Sequence, residues 1–296
     1  MLCIGQYNKL SKVPHLSRDV CSVQRQIESV LNKLKVKYIV FPHTSMSTTN
    51  KSYNILWVRD IFINTPRGIQ ILKCDKKQRG DHHEMVQDFF ETFSFDLKYT
   101  IFYPHTRSTI RIEAGDIIEY RNTLFIGLSK RTNRGGVNWF LHSSGVDKNK
   151  KVILISHNAL HLDCVFNILP NQRTIVYCSS YIPRLNKQEL MDSDCGIDAI
   201  VCVEALIADN RLNYNLSTNY LYVYPNHILL SYIPKFKLFY DYLEELQYTL
   251  HFIDFKGLER FGGSIRCFTQ WISKPHRQRL CWFRNIIYIV WIYFHR

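Results

Sequence analysis

Short apolar runs recur along the chain, separated by turn residues. KYIVF (37–41), DIFIN (60–64), GIQIL (68–72), TLFIGL (123–128), KVILIS (151–156), TIVYCS (174–179), AIVCVEAL (199–206), YLYVYP (220–225) and HILLSY (227–232) have strand length and are rich in β-branched and aromatic residues. Two pairs read as hairpins. Pro66 and Gly68 interrupt FINTPRGIQIL, and Pro225-Asn226 interrupts LYVYPNHILL. A different period appears between the runs. Val20, Val23, Ile27, Val30, Leu31 and Leu34 share one face of a helix over 18–35. Residues 82–93 and 236–248 read as further helices. The order hairpin, helix, strand, repeated, predicts an α/β or α+β protein.

No linker or low-complexity segment divides the chain. A coarser rhythm runs through it instead. Polar residues beside the strand-like runs fall at Asp60, Glu113, His161, Asn219 and Cys267, with gaps of 53, 48, 58 and 48 residues. Five units of that size fill 296 residues. A period in this range is the mark of a supersecondary unit repeated around an axis.

Composition narrows the class. At 46% hydrophobic and 21% charged, the chain can bury a large core and is not of disordered type. Its nine cysteines form no CxxC pair, so they read as free thiols in a reducing, cytoplasmic compartment, not as a disulfide framework or zinc ribbon. MLCIGQYNKLSK lacks the apolar run of a signal peptide. The most apolar segment, Ile286 to Phe294, has nine residues against the roughly 20 of a membrane-spanning helix, and reads as a buried strand. The net charge of +13 is scattered, with short loop-like clusters at 73–80, 147–151 and 274–279. These read as solvated faces with a field that attracts anions, not as a nucleic-acid interface.

The chemistry sits in four stretches. WVRDIF places Arg59-Asp60 at the start of a strand, a position that alone suggests a surface turn. IEAGDII places Glu113 inside a strand, where a buried carboxylate needs a partner, with Gly115 allowing close backbone approach. ALHLDCVFNIL spaces His161 and Asp163 two apart, so on a strand they share a face. In GGSIRCFTQ, Arg266 favours the thiolate of Cys267, although a lone cysteine reads as a small hydrophobe. The pair Gly262-Gly263 suits a backbone that must pack tightly or turn sharply. Together these supply a thiol, a histidine to carry its proton and a carboxylate to fix the histidine tautomer. The remaining carboxylates suit a cation with several N–H donors. A guanidinium is the obvious one, because its planar fork pairs with carboxylates. A metal site in HNALHLD, with His157 and His161 four apart on a helix, is the competing arrangement. It lacks the glutamate of HExxH, and a helix would not keep Asp163 on the same face.

WVRDIF, IEAGD, LFIGLSKRTNRGG, HLDCVFNIL and GGSIRCFTQ, in that order over 59–270, resemble the motifs of the guanidino-group-modifying enzymes, or penteins. These include arginine deiminases, dimethylarginine hydrolases and amidinotransferases. The resemblance implies an α/β five-bladed propeller with the site at its centre, formed by one catalytic domain over 1–275. The extension 276–296 matches nothing in the family and reads as an extra strand, an oligomer contact or an unusual terminus. The resemblance further implies that Cys267 is the nucleophile, His161 the general acid/base and Glu113 the carboxylate orienting it. Asp60 and Asp163 then grip the guanidinium, and Arg131 meets a substrate carboxylate. Asn219 receives no role. No metal or organic cofactor is implied, and the partner is a small arginine-like guanidino compound. HLDCVFNIL and TNRGGVNWF look most like amidinotransferases, SKRTN like dimethylarginine hydrolases, and IEAGD and Arg266 like arginine deiminases. The longest match favours an amidinotransferase, with a hydrolase as the alternative and a non-catalytic basic binding protein as the distant one.

Overall fold

The structure is a computed structural model that describes residues 2–5, 14–41, 57–72, 90, 101–102, 109–191, 195–209, 213–255, 258 and 262–272. Among the described residues, fifteen strands form five sheets of three. One sheet holds both ends of the described chain: β1 (Leu2–Gly5) lies between β2 (Tyr38–Phe41) and β15 (Thr269–Trp271). The others follow the sequence. They are β3 (Phe62–Thr65), β4 (Gly68–Ile71) and β5 (Ile101–Phe102); β6 (Ile117–Tyr120), β7 (Thr123–Leu128) and β8 (Lys151–Ser156); β9 (Phe166–Leu169), β10 (Thr174–Tyr177) and β11 (Ala199–Cys202); and β12 (Leu221–Val223), β13 (His227–Ser231) and β14 (Thr249–Ile253).

Every sheet repeats one pattern. An edge strand pairs antiparallel with the middle strand, which pairs parallel with the third. The parallel step needs a crossover, and helices fill it. Pro14–Lys33, Arg134–Ser143, Lys187–Met191 and Lys237–Glu245 connect β1 to β2, β7 to β8, β10 to β11 and β13 to β14. This is the predicted five-bladed α/β propeller, and its period explains the regular spacing of polar residues.

The middle strands β4 and β10 are buried along their whole length, so they read as near-continuous apolar runs. β7 is buried over Thr123–Gly127, whereas β8 alternates, with Ile153 and Ile155 inside and Leu154 37% exposed. The predicted helix begins four residues earlier than its periodicity suggests. Its inner face, Val20, Val23, Ile27 and Leu31, is fully buried in the main core. Each such side chain contributes about 1.5–3 kcal/mol of transfer free energy.

Several local expectations change. AIVCVEAL is not one strand: β11 ends at Cys202, and Val203–Ile207 is helical. Asp60 does not open a strand but closes the 3₁₀ turn Val58–Asp60, with β3 starting at Phe62. Glu113 is extended but lies just before the turn Ala114–Asp116, outside the ladder of β6. His161 and Asp163 do not share a strand face, because Asp163 sits in the turn Leu162–Cys164 that follows an extended His161. Of the helix expected over 82–93 only Phe90 is described, helical and buried, and the strand over 286–294 and the extension 276–296 lie outside the described residues.

The changes at Asp60, Glu113 and His161-Asp163 have one physical cause. The chain makes a tight turn just before the first strand of each sheet: Val58–Asp60, Ala114–Asp116, Leu162–Cys164, residues 215–218 and residues 265–268. Each turn is closed by backbone bonds such as Asp116 N–H to Glu113 O at 3.0 Å and Phe268 N–H to Ser264 O at 3.0 Å. Asp60, Glu113, His161, Asn219 and Cys267 lie in or beside these five turns, one per repeat.

Candidate active site

The turns bring the predicted residues together in a buried cluster. Cys267, His161, Glu113, Asp60 and Asp163 are each at most 1% exposed. His161 presents its two ring nitrogens to two carboxylates: Nε2 lies 2.6 Å from Glu113 Oε2, and Nδ1 lies 3.4 Å from Asp60 Oδ1. Gly115 backs the ring. A β-carbon there would lie 2.6 Å from His161 Cγ, so only glycine lets the Glu113 turn pack this close.

Electrostatics couple the histidine to the thiol. Burial alone would drive the His161 imidazole down, but Asp60, the hydrogen bond with Cys267 and Glu113 outweigh it and hold it well above its ordinary value. Cys267 is held below its ordinary value. Its hydrogen bond with Cys164 is the largest cause and the bond with His161 adds to it, against burial and the charges of Asp163 and Asp60. Cys164 moves the opposite way, driven well up first by that same bond and then by burial. Of the two thiols, Cys267 is thus the one whose surroundings favour ionisation. A thiolate beside an imidazolium is the form that attacks electrophilic carbon.

Asp163 is fixed from two sides. Arg59 Nε lies 3.3 Å from its Oδ2, and Asn219 Nδ2 lies 3.3 Å from its Oδ1. A carboxylate has about four acceptor positions, so these contacts leave capacity for a substrate N–H. Arg59 is itself buried and spans the ring: Nη1 donates to Gln270 Oε1 at 2.7 Å and Nη2 to the Ile117 carbonyl. The expected surface turn at Arg59-Asp60 is instead a central strut. Arg131 lies with the site, but its Nη1 is 3.2 Å from Glu113 Oε1, where it steadies the carboxylate that holds His161. Its side chain, 12% exposed, keeps some contact with solvent.

Other expectations resolve differently. His157 and His161 are not a metal-binding pair on a helix. His157 faces Asp116 at 3.0 Å, and that carboxylate also accepts the Leu162 N–H at 2.8 Å. Asp116 thus pins the His161 turn to the Glu113 turn. Two trios, His161-Asp163-Cys164 and Asp60-Glu113-His161, hold ligand-type atoms within 4.8 Å of one another. Both include His161. The glycines before Cys267 have a local reason: a β-carbon on Gly263 would lie 2.6 Å from the Trp57 ring. Sequence reasoning missed Arg59, Asn219, Cys164 and Gln270 as site residues. Asn219 alone left a signal, its place in the five-fold rhythm. Among the described residues no helix is long and apolar enough to cross a membrane.

Comparison with known proteins bears on the family and the fold. The family model for arginine deiminase matches residues 3–190. An uncharacterised protein of Bacillus subtilis, YkgA, is 22% identical over 289 residues, covering 90% of this chain and 93% of its own. Among solved structures, the amidinotransferase SxtG from Microseira wollei, of a saxitoxin biosynthetic pathway, superposes with a TM-score of 0.72 at 13% identity over 96% of each chain. The dimethylarginine dimethylaminohydrolase of Pseudomonas aeruginosa superposes at 0.64 with 16% identity, over 91% of this chain and 97% of that one. Both share the fold.

Proposed function

The chain belongs to the arginine deiminase family, within the guanidino-group-modifying superfamily, and from that premise we propose that it moves the amidino group of an arginine-like substrate through a covalent bond to Cys267. One observation carries the reading: the His161 ring lies between two carboxylates, 2.6 Å from Glu113 and 3.4 Å from Asp60, in the same buried cluster as the Cys267 thiol, which is held below its ordinary value.

The steps follow from the charges. Asp60 and Asp163 bind guanidinium N–H groups and concentrate positive charge on the central carbon. The Cys267 thiolate attacks that carbon, forming the C–S bond. His161 gives its proton to the departing amine as the C–N bond breaks. The amidino-thioether that remains is cationic and stays with the carboxylates. His161, now neutral and oriented by Glu113, takes a proton from the second nucleophile as that attacks, and the C–S bond breaks to restore the thiolate.

Transfer to an amine is the first reading, supported by the HLDCVFNIL and TNRGGVNWF stretches and by the likeness to an amidinotransferase fold. Transfer to water is the second, favoured by the arginine deiminase family match. Incubation with arginine, with and without glycine, separates them. Ornithine and guanidinoacetate formed only with glycine support transfer to an amine, whereas citrulline and ammonia formed without it support attack by water, with the terminal guanidinium nitrogen leaving as ammonia in the first step. Full turnover by Cys267→Ala with either acceptor would refute the covalent route.

A further inference from the structure

We propose that Asn219 is the residue that positions the Cys267 sulfur and favours its ionised form, through a side-chain amide locked in one orientation. The proposal rests on the reading of Cys267 as the nucleophile. Four of the five repeats place a chemically active residue at the turn before their first strand: Asp60, Glu113, His161 and Cys267. The fifth repeat, which begins at β12, places Asn219 there, 2% exposed.

The amide orientation is dictated by its surroundings. Oδ1 accepts the backbone N–H of Arg266 at 3.1 Å and faces that of Cys267 at 3.4 Å. Nδ2 faces only acceptors and sulfur: Cys267 Sγ at 3.3 Å, Asp163 Oδ1 at 3.3 Å, the Asp163 carbonyl at 3.3 Å and Cys164 Sγ at 3.7 Å. Rotating the amide by half a turn would set NH₂ against two N–H groups and oxygen against a sulfur and a carboxylate. The observed orientation is therefore the only one that satisfies both ends.

Two consequences follow. The NH₂ group offers a donor to Cys267 that no change of pH removes, unlike those from His161 and Cys164. One rigid amide also touches both the nucleophilic sulfur and the carboxylate proposed to grip the substrate, so it sets the spacing that a guanidinium must span between attack and binding. The other titratable or charged groups around Cys267 are His161, Asp163 and Cys164 at the third turn, Arg59 and Asp60 at the first, and Arg266 on its own turn, with Glu113 acting through His161. Their charges are unaltered in a neutral Asn219 variant.

The test is the pH dependence of alkylation of the full chain by iodoacetamide, with the labelled cysteine identified by peptide mass. Asn219→Asp keeps the shape and the acceptor for both backbone N–H groups but replaces the donor with a like charge. Its Cys267 alkylation midpoint should rise by a pH unit or more, with about a tenfold slower reaction at neutral pH. Asn219→Ser, which removes the amide with little steric change, should shift the midpoint in the same direction by less. Thermal melting of both variants confirms that the measured thiol belongs to folded protein. A label on Cys267 with an unmoved midpoint in both folded variants overturns the role of Asn219 alone. A label on another cysteine of the unsubstituted protein overturns the nucleophile reading and this proposal with it.

Discussion

His161 Nε2 and Glu113 Oε2 lie 2.6 Å apart, in contact across two repeats whose site residues are 48 positions apart in sequence. Neither side chain has measurable solvent exposure. Glu113 does more than orient the ring, because together with Asp60 it keeps a buried imidazole charged. Glu113→Gln preserves shape and removes that charge. Turnover should fall by up to about 10⁴-fold, the loss seen when the carboxylate behind a catalytic histidine becomes an amide. The pH–rate profile should lose its alkaline limb at lower pH, measured by steady-state kinetics from pH 5 to 10.

Stability should depend on pH through the same pair. His161 is raised above its ordinary 6.5, so the stability it contributes is complete below that value and is lost as pH rises through its higher folded value. Cys267 is lowered from 9.0, so its contribution is present above 9.0 and is lost as pH falls through its lower folded value. Melting temperature against pH should therefore decline on the alkaline side. In Glu113→Gln that decline should begin at lower pH, and a decline unmoved by the substitution would count against the assignment.

Arg59 tests the centre of the ring. Arg59→Met leaves Asp163 buried without its cation and cuts the links to Gln270 and the Ile117 carbonyl. Breaking one side of a buried ion pair costs about 3–5 kcal/mol, which urea unfolding should detect. Arg59→Lys should rescue little of this, since a single ammonium cannot reach three acceptors that a guanidinium fork spans.

Gly115→Ala separates geometry from charge. The added methyl would lie 2.6 Å from His161 Cγ and 2.9 Å from Nδ1, so the ring must move. A displacement near 1 Å costs about 10²-fold in rate. Turnover should drop accordingly, while melting temperature changes by only a few degrees.

The two carboxylate-histidine trios predict nothing for metal. Turnover should be unchanged after dialysis against a strong chelator, and an activity restored only by a divalent cation would replace the covalent route with a metal-based one.

Much of this architecture is visible in the sequence because each repeat carries its own signal. Runs such as TLFIGL are apolar because middle strands are covered on both faces, and Asp60, Glu113, His161 and Cys267 interrupt that pattern where the chain must turn. What the sequence hides depends on contacts between repeats. Nothing near Arg59 shows that its partners are Asp163, Gln270 and Ile117, which lie 58 to 211 positions away. LCIG and TQW are too short to stand out, and their pairing spans nearly the whole chain. The extended-then-turned backbone at His161-Asp163 was also out of reach, because a strand and a single 3₁₀ turn place both residues inward with the same spacing.

The sheet that joins β15 to β1 ties the proposed chemistry to closure of the ring. Cys267 precedes β15 by two residues, and β15 makes the antiparallel pair with β1. The strands of the other four sheets and the β1–β2 pair, like His161 and its carboxylates, all lie before Cys267 in sequence. A change that frees the β15 edge would therefore disturb the proposed nucleophile together with the pairing that closes the propeller.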